Sequence, residues 1–401
     1  MILLGTFGRW TLLGIAGFGM VANLLLRSDH SVPHWLFPIA LLVAWIGCLG
    51  AVIRSPARAR TSRSELVTLA ILALVLVALA YGSLATASRE WDGYVAWNLK
   101  ARVLEREPTL HSAFFSAPEV DAHSRDYPLL QPLCQASLAH WLSERGGRGL
   151  FPMLWLVLVG LAARACATIG SGNPRRCLAW LGAALMPGLV SPGGGAVDSG
   201  YAELFLCVAM TGIACGLLTK DALLVGAGVL VAGLVKPEGW PYAGALAFAL
   251  VVSTRARLAI WVAALGAGAL GLSWSLGHLK VSFDRLPEAL LGEASHLVSV
   301  KRFGLAFLGL CAVACSPRRI CGPCPSPALG WFVVGGLVMV PAPLLLWPAL
   351  EVEHHIRSSM GRLLLHWAVP AWLLAVAWLD PSPRCQVGPA ARCISPFPPG
   401  W

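Results

Sequence analysis

The residues in this chain that could do chemistry fall into a few short stretches between long apolar runs. The first is Trp91-Asp92-Gly93-Tyr94-Val95-Ala96-Trp97-Asn98-Leu99-Lys100, a carboxylate set among aromatics just past the end of an apolar run. A carboxylate at that depth reaches both water and lipid headgroups. It could act as a base where a polar acceptor meets a lipid-carried donor. The second is Arg125-Asp126-Tyr127-Pro128-Leu129-Leu130-Gln131-Pro132, in which proline pre-sets the backbone and fits the start of a helix.

A second acidic stretch, Val197-Asp198-Ser199-Gly200-Tyr201-Ala202-Glu203, lies at the edge of another apolar run. Asp198 or Glu203 could orient a cation, an acceptor amine or hydroxyl, or an arginine; Glu203 could equally reach out to the membrane interface. In Val235-Lys236-Pro237-Glu238-Gly239 the cation belongs to a scarce type, shared only with Lys100, Lys220, Lys280 and Lys301. Lys236 could hold a lipid phosphate as a point charge, or pair with Glu238 across a bent helix. Last comes His354-His355-Ile356-Arg357-Ser358-Ser359-Met360-Gly361-Arg362. Its cations suit a bound phosphodiester or pyrophosphate, and they suit anionic headgroups as well. The histidine pair leaves a divalent cation possible, but no further ligand stands at a recognisable spacing. Gly193-Gly194-Gly195 lacks the Gly-Lys-Ser/Thr of a phosphate-binding loop.

The elements that must position these residues are membrane helices. Of 401 residues 57% are hydrophobic and only 12% charged, too apolar for a water-soluble domain. Apolar runs predict spans near 9–26, 35–53, 65–85, 150–168, 177–192, 202–218, 222–235, 240–252, 258–277, 303–316, 328–347 and 363–379. The first run has no small-residue cleavage site and is expected to stay as a helix. The net charge of +10 comes from short arginine clusters between spans, such as Arg54, Arg58, Arg60 and Arg63, or Arg175 and Arg176. That is the positive-inside pattern and not a nucleic-acid groove. The 12 cysteines are scattered and often sit within apolar runs; Cys321-Gly322-Pro323-Cys324 has no second pair or histidine at zinc spacing.

With the N-terminus inside, the arginine clusters lie in the cytoplasm. Trp91–Gly149, Ser191–Tyr201, Lys236–Gly239, His278–Arg302 and Pro348–Arg362 then share the opposite face. Leu129–Leu142 is ambiguous: a crossing there would invert every later span, whereas an interfacial or partly re-entrant helix, the favoured alternative, keeps Asp92 and Glu203 on one side. No internal repeat is visible. One membrane domain is expected over residues 1–380, with a large outer loop at 86–149. A short disordered cytoplasmic tail is expected over 381–401.

Together these stretches resemble the GT-C glycosyltransferases, multispan enzymes that use polyprenyl-phosphate sugars and include the protein O-mannosyltransferases and the aminoarabinose transferases of lipid A. Asp92 resembles the acidic residue of their first outer loop. Tyr127-Pro128-Leu129 resembles their Tyr/His-Pro-Pro-Leu element, with Leu129 in place of the second proline. Lys236-Pro237-Glu238-Gly239 resembles their Thr-Lys-Asn-Glu-Gly element, and Arg362-Leu363-Leu364 the basic start of their closing span.

The resemblance implies an all-α polytopic bundle of about twelve spans with an interfacial helical first loop. It implies inverting glycosyl transfer from a polyprenyl-phosphate donor to a lipid, glycan or protein acceptor at the outer membrane face. Asp92 would be the base, aided by Glu203 or Asp198. Lys236, Arg357, Arg362 and His355 would hold the donor phosphate, with Trp91, Lys100, Tyr127 and Glu238 about the substrate. No organic cofactor is implied. Alternatives are a flippase or transporter of an anionic lipid-linked sugar, and a family member without activity. The arginine-rich, lysine-poor composition points to a bacterial inner membrane, with both termini cytoplasmic.

Overall fold

Long uninterrupted apolar runs, broken by arginine clusters, proline and glycine, leave the backbone one economical solution in a low-dielectric setting: hydrogen bonds satisfied within helices. The computed structural model describes residues 1–54, 61–85, 93–116, 127–169, 173–191, 195–236, 239–254, 285–315, 326–341, 353 and 356–379. Among these there is no β-strand. Five helices are long and apolar enough to cross a membrane: α1 (Ile2–Arg27), α2 (Leu36–Arg54), α3 (Arg63–Ala85), α7 (Leu150–Thr168) and the closing α18 (Gly361–Trp378).

Among the described residues three helices lie between α3 and α7. A wide π-type turn over Gly93–Asn98 runs into α4 (Leu99–Arg106), followed by α5 (Ala113–Ser116) and α6 (Leu130–Arg148). After α7 come α8 (Asn173–Ala184), α9 (Pro187–Val190) and α10 (Ala196–Ser199), then α11 (Glu203–Thr219), α12 (Ala222–Val235) and α13 (Gly239–Thr254). Helices α14 (Leu286–Leu297), α15 (Val300–Phe303), α16 (Ala306–Cys315) and α17 (Pro327–Met339) precede α18.

Of the about twelve crossings expected, five have helices of spanning length among the described residues. Helices α11, α12, α13, α16 and α17 are apolar but only 10–17 residues long. At ~1.5 Å per residue each is shorter than a ~30 Å hydrocarbon core. The span expected at 258–277 lies outside the described residues. The one expected at 177–192 is broken: α8 ends at Ala184 and the chain restarts at Pro187, whose missing N–H suits a first helical position.

Helix ends are set locally. Ser62 and Glu65 form a reciprocal capping box at α3, each side chain accepting from the other's backbone N–H at 3.2 Å. Asp221 caps α12 through the Leu224 N–H, and Ser326 caps α17 through that of Leu329. The bundle's centre is α1, α7 and α11. Close backbone approach there requires glycine: a Cβ on Gly8 would lie 2.8 Å from the Val157 carbonyl oxygen, and one on Gly160 would overlap the Leu4 carbonyl.

The bundle has two distinct ends. At one, Gly5 of α1 meets Arg164 of α7, and Arg9 meets Asp221 between α11 and α12. At the other, Gly19 of α1 meets Leu130 of α6 and Leu234 of α12. Helix α6 begins at this second end and stays there. The His140 ring stacks on that of His34, just past α1, with centroids 4.2 Å apart. At Ser143 (φ 71°, ψ 171°) the backbone turns, so that Gly147 packs back on Gln135 and Gly149 lies near Leu84 at the end of α3. Residues 129–142 thus stay at this end of the bundle and do not run along its length.

Candidate functional site

Helices α11 and α12 are an antiparallel hairpin, so the first residue of one faces the residue that ends the other. Glu203 and Lys236 occupy those positions, and Lys236 Nζ donates to Glu203 Oε1 at 2.8 Å. Their side chains are only 3% and 11% exposed, so each charge depends on the other to offset its desolvation. Glu203 also stands in the first turn of α11, where the helix dipole favours an anion. Its second oxygen, Oε2, is buried and accepts no hydrogen bond among the described residues.

Helix α18 brings cations to the same place. The Arg362 guanidinium lies 4.7 Å from the centre of the Tyr201 ring and within electrostatic reach of Glu203. One turn further on, fully buried His366 shares a 2.9 Å hydrogen bond between Nδ1 and the Tyr242 hydroxyl, and its Nε2 has no hydrogen-bond partner among the described residues. Beside the start of α18, Arg302 of α15 lies against Gly361. Burial, then the charge of Arg362, pushes the Arg302 guanidinium below its usual value. In α14, burial pushes the Glu293 carboxyl up to about 7.

The first loop joins through amides. Gln135 Nε2 donates to Asn98 Oδ1 at 2.9 Å, and Gln131, one turn earlier on α6, donates to the Gly200 carbonyl at 2.9 Å. Gly200 has φ 72°, the left-handed conformation that glycine tolerates, and this turns the chain from α10 towards Glu203. Lys100 is fully buried, with its ammonium 5.5 Å from the Trp97 ring and 5.8 Å from that of Tyr127. These are cation–π distances. Beside Tyr127 a crevice of about 340 Å³ opens between α1, α6 and α12, lined by Asn23, Arg27, Phe115, Leu130, Leu133 and Leu234 among others.

The structure therefore brings together Glu203, Lys236 and Arg362 from three separate motifs, and ties Lys100 and Tyr127 to them through α6. Lys236 is engaged by Glu203, so its charge is already offset. Asp92, Trp91, Glu238, His354 and His355 lie outside the described residues. For Asp198 and Arg357 only the backbone is described. Among the described residues no three His, Cys, Asp or Glu side chains gather as a metal site would require.

Sequence reasoning did not pick out Asn98, Gln131, Gln135, Tyr201, Tyr242, Arg302 or His366. Two signals were present: an i, i+4 glutamine pair in an apolar segment, and a histidine four residues after Arg362 inside a span. Comparison of the chain with protein families, with curated proteins and with solved structures finds no match.

Proposed function

We propose that the protein is a membrane glycosyltransferase of GT-C type, transferring a glycosyl unit with inversion from a polyprenyl-phosphate donor to a polar acceptor at the outer face of a bacterial inner membrane. Asp92 takes the acceptor's proton as its oxygen or nitrogen attacks the anomeric carbon. The bond from that carbon to the phosphate oxygen breaks, and polyprenyl phosphate leaves without needing a proton because it is a weak base. Arg362 and Arg357 stabilise the leaving phosphate, the type of electrostatic contribution that is commonly the largest. Lys236 has a different part from the one its sequence motif suggests: it holds Glu203 ionised and in place. Glu203 then presents Oε2 to the acceptor or to a cation.

The observation that carries this reading is the meeting of Glu203, Lys236 and Arg362 at the end of the bundle where α4 and α6 lie. Three sequence stretches far apart in the chain supply those residues. The crevice beside Tyr127 supports it as well, since its leucine-rich walls suit an isoprenoid tail.

The test is reconstitution with a labelled polyprenyl-phosphate sugar and no ion gradient. Labelled acceptor and free polyprenyl phosphate are expected, and Asp92→Asn should lower turnover at least about a hundredfold, the scale of general-base contributions. Intact donor moving between leaflets, with no new glycosidic bond, would replace the transferase with a flippase.

A further inference from the structure

Two arginines lie near each other where α15 approaches the start of α18. Arg302 lies over Gly361, in the space that any Cβ there would fill. The next residue is Arg362, which covers the Tyr201 ring and reaches Ser359 Oγ at 3.3 Å. Each guanidinium feels the other's charge. Arg302 is half-buried, yet among the described residues no hydrogen-bond acceptor and no carboxylate meets its guanidinium. His296, from α14, is a further basic neighbour. Glu203, whose carboxylate feels the charge of Arg362, already holds Lys236.

Two adjacent arginines, one of them without an acceptor, are costly in a partly desolvated place. Surface guanidinium groups can turn away into water at little cost. Here Arg302 is pinned by Gly361 on one side, and the chain around its own carbonyl packs on Gly188 of α9. An oxyanion between the two forks would relieve the repulsion and accept from both, the geometry in which arginine outperforms lysine.

We infer that Arg302 and Arg362 form a two-guanidinium seat for the phosphate of a lipid-linked ligand, and that Gly361 exists to let the two side chains meet. The ligand's lipid character rests on the transferase reading; the seat's geometry does not. Arg302 comes from a part of the chain that no sequence motif marked. It adds a fork to the phosphate site from a loop distinct from that of Arg357 and Arg362.

The experiment is direct binding to the full chain in nanodiscs, without any transfer step. The probes are a polyprenyl monophosphate and, separately, inorganic phosphate. Arg302→Gln is expected to weaken polyprenyl monophosphate at least tenfold while leaving the thermal midpoint near wild type, and Gly361→Ala is expected to weaken it by displacing Arg302. In unmutated protein, bound polyprenyl monophosphate should shield Arg302 from phenylglyoxal, as located by peptide mass, which keeps the test decisive should the variants fail to fold. Wild-type affinity in Arg302→Gln, or equal phenylglyoxal labelling with and without the lipid, overturns the seat. Inorganic phosphate bound as tightly as the lipid phosphate overturns its assignment to a lipid-linked ligand. A chain that binds through Arg302 but makes no glycosidic bond overturns only the transferase. One that transfers normally with Arg302→Gln overturns only the seat.

Discussion

Asp221 and Glu203 flank the same helix, α11, and their surroundings could hardly differ more. Asp221 uses both oxygens. Oδ2 accepts from Arg9 Nε at 2.5 Å and Arg164 Nη2 at 3.1 Å, while Oδ1 accepts from Arg9 Nη2 and from the Leu224 N–H. Burial works against its charge, but the hydrogen bonds and charge of Arg9, with help from Leu224 and Arg164, hold its carboxyl below the usual carboxylate range. It ties α1, α7, α11 and α12 together and leaves nothing to spare. Glu203 uses one oxygen, keeps the other buried and unpaired, and has titratable neighbours on α18. A saturated carboxylate belongs to the frame; one with a buried, unengaged oxygen fits the part proposed for Glu203.

The largest effect that can break this comparison is at the site end. Lys236→Met leaves Glu203 charged, buried and without the partner seen here, which should cost about 3–5 kcal/mol. In the double variant Glu203→Gln/Lys236→Met neither charge remains, so most of that stability should return while glycosyl transfer stays lost. Thermal unfolding in detergent, read beside turnover, checks both. A double variant no more stable than the single would mean that the pair's charges do not depend on each other.

At the opposite end the dissociation runs the other way. Asp221→Asn should cost about 1.5–3 kcal/mol, the range for hydrogen bonds to charged groups, with turnover per folded molecule unchanged. The pH dependence fixes the sign. A depressed carboxyl contributes stability above its unfolded value of ~3.9 and loses it as pH falls through the lower folded value. The difference between wild type and Asp221→Asn should therefore be full at pH 7 and vanish in strong acid. A constant difference across that range would show that the charge on Asp221 is not what holds the helices.

Much of this contrast was hidden from the sequence for a physical reason. Hydropathy exposes a span because the signal is summed over many residues, which is why α2, α3, α7 and α18 lie within two residues of their expected limits, while α1 starts seven residues earlier than expected. Breaks are set by a few backbone angles, so the interruption at Leu185 and Met186 showed only as Pro187-Gly188 inside an apolar run, and the turn at Ser143 carried no proline or glycine of its own. Glu203 and Lys236 were each legible as ionisable residues at span edges, but their pairing follows from the antiparallel hairpin and not from either motif. Asp221 looked like a loop residue. Only the packing of α1 and α7 brings Arg9 and Arg164 to it.

A smaller effect sharpens the picture beside the site. Glu293 is 7% exposed and has its carboxyl raised to about 7 by burial. A raised carboxyl does the reverse of Asp221. Between ~4.3 and about 7 the unfolded chain releases a proton that the folded chain keeps, so stability falls as pH rises, by at most ~1.4 kcal/mol per unit. Glu293→Gln should remove that slope, and melting curves across this window check it. A slope that survives the substitution assigns it to another group.

The smallest expected effect belongs to the start of α3, far from Glu203 and at the same end as Asp221. Ser62 and Glu65 satisfy each other's backbone N–H groups there. Ser62→Ala removes one side-chain acceptor from the first turn, a loss of about 0.5–2 kcal/mol. Turnover should not change, because α3 meets the site only through its other end, where Leu84 lies near Gly149. Ser62→Ala combined with Asp221→Asn should be additive within about 0.5 kcal/mol, since the two share no partner. A coupling well above that would mean that this end of the bundle unfolds as one unit. The same double variant should still transfer at the wild-type rate once folded. A rate that fell with stability would show that the frame and the site are not separable, and would remove the distinction drawn between Asp221 and Glu203.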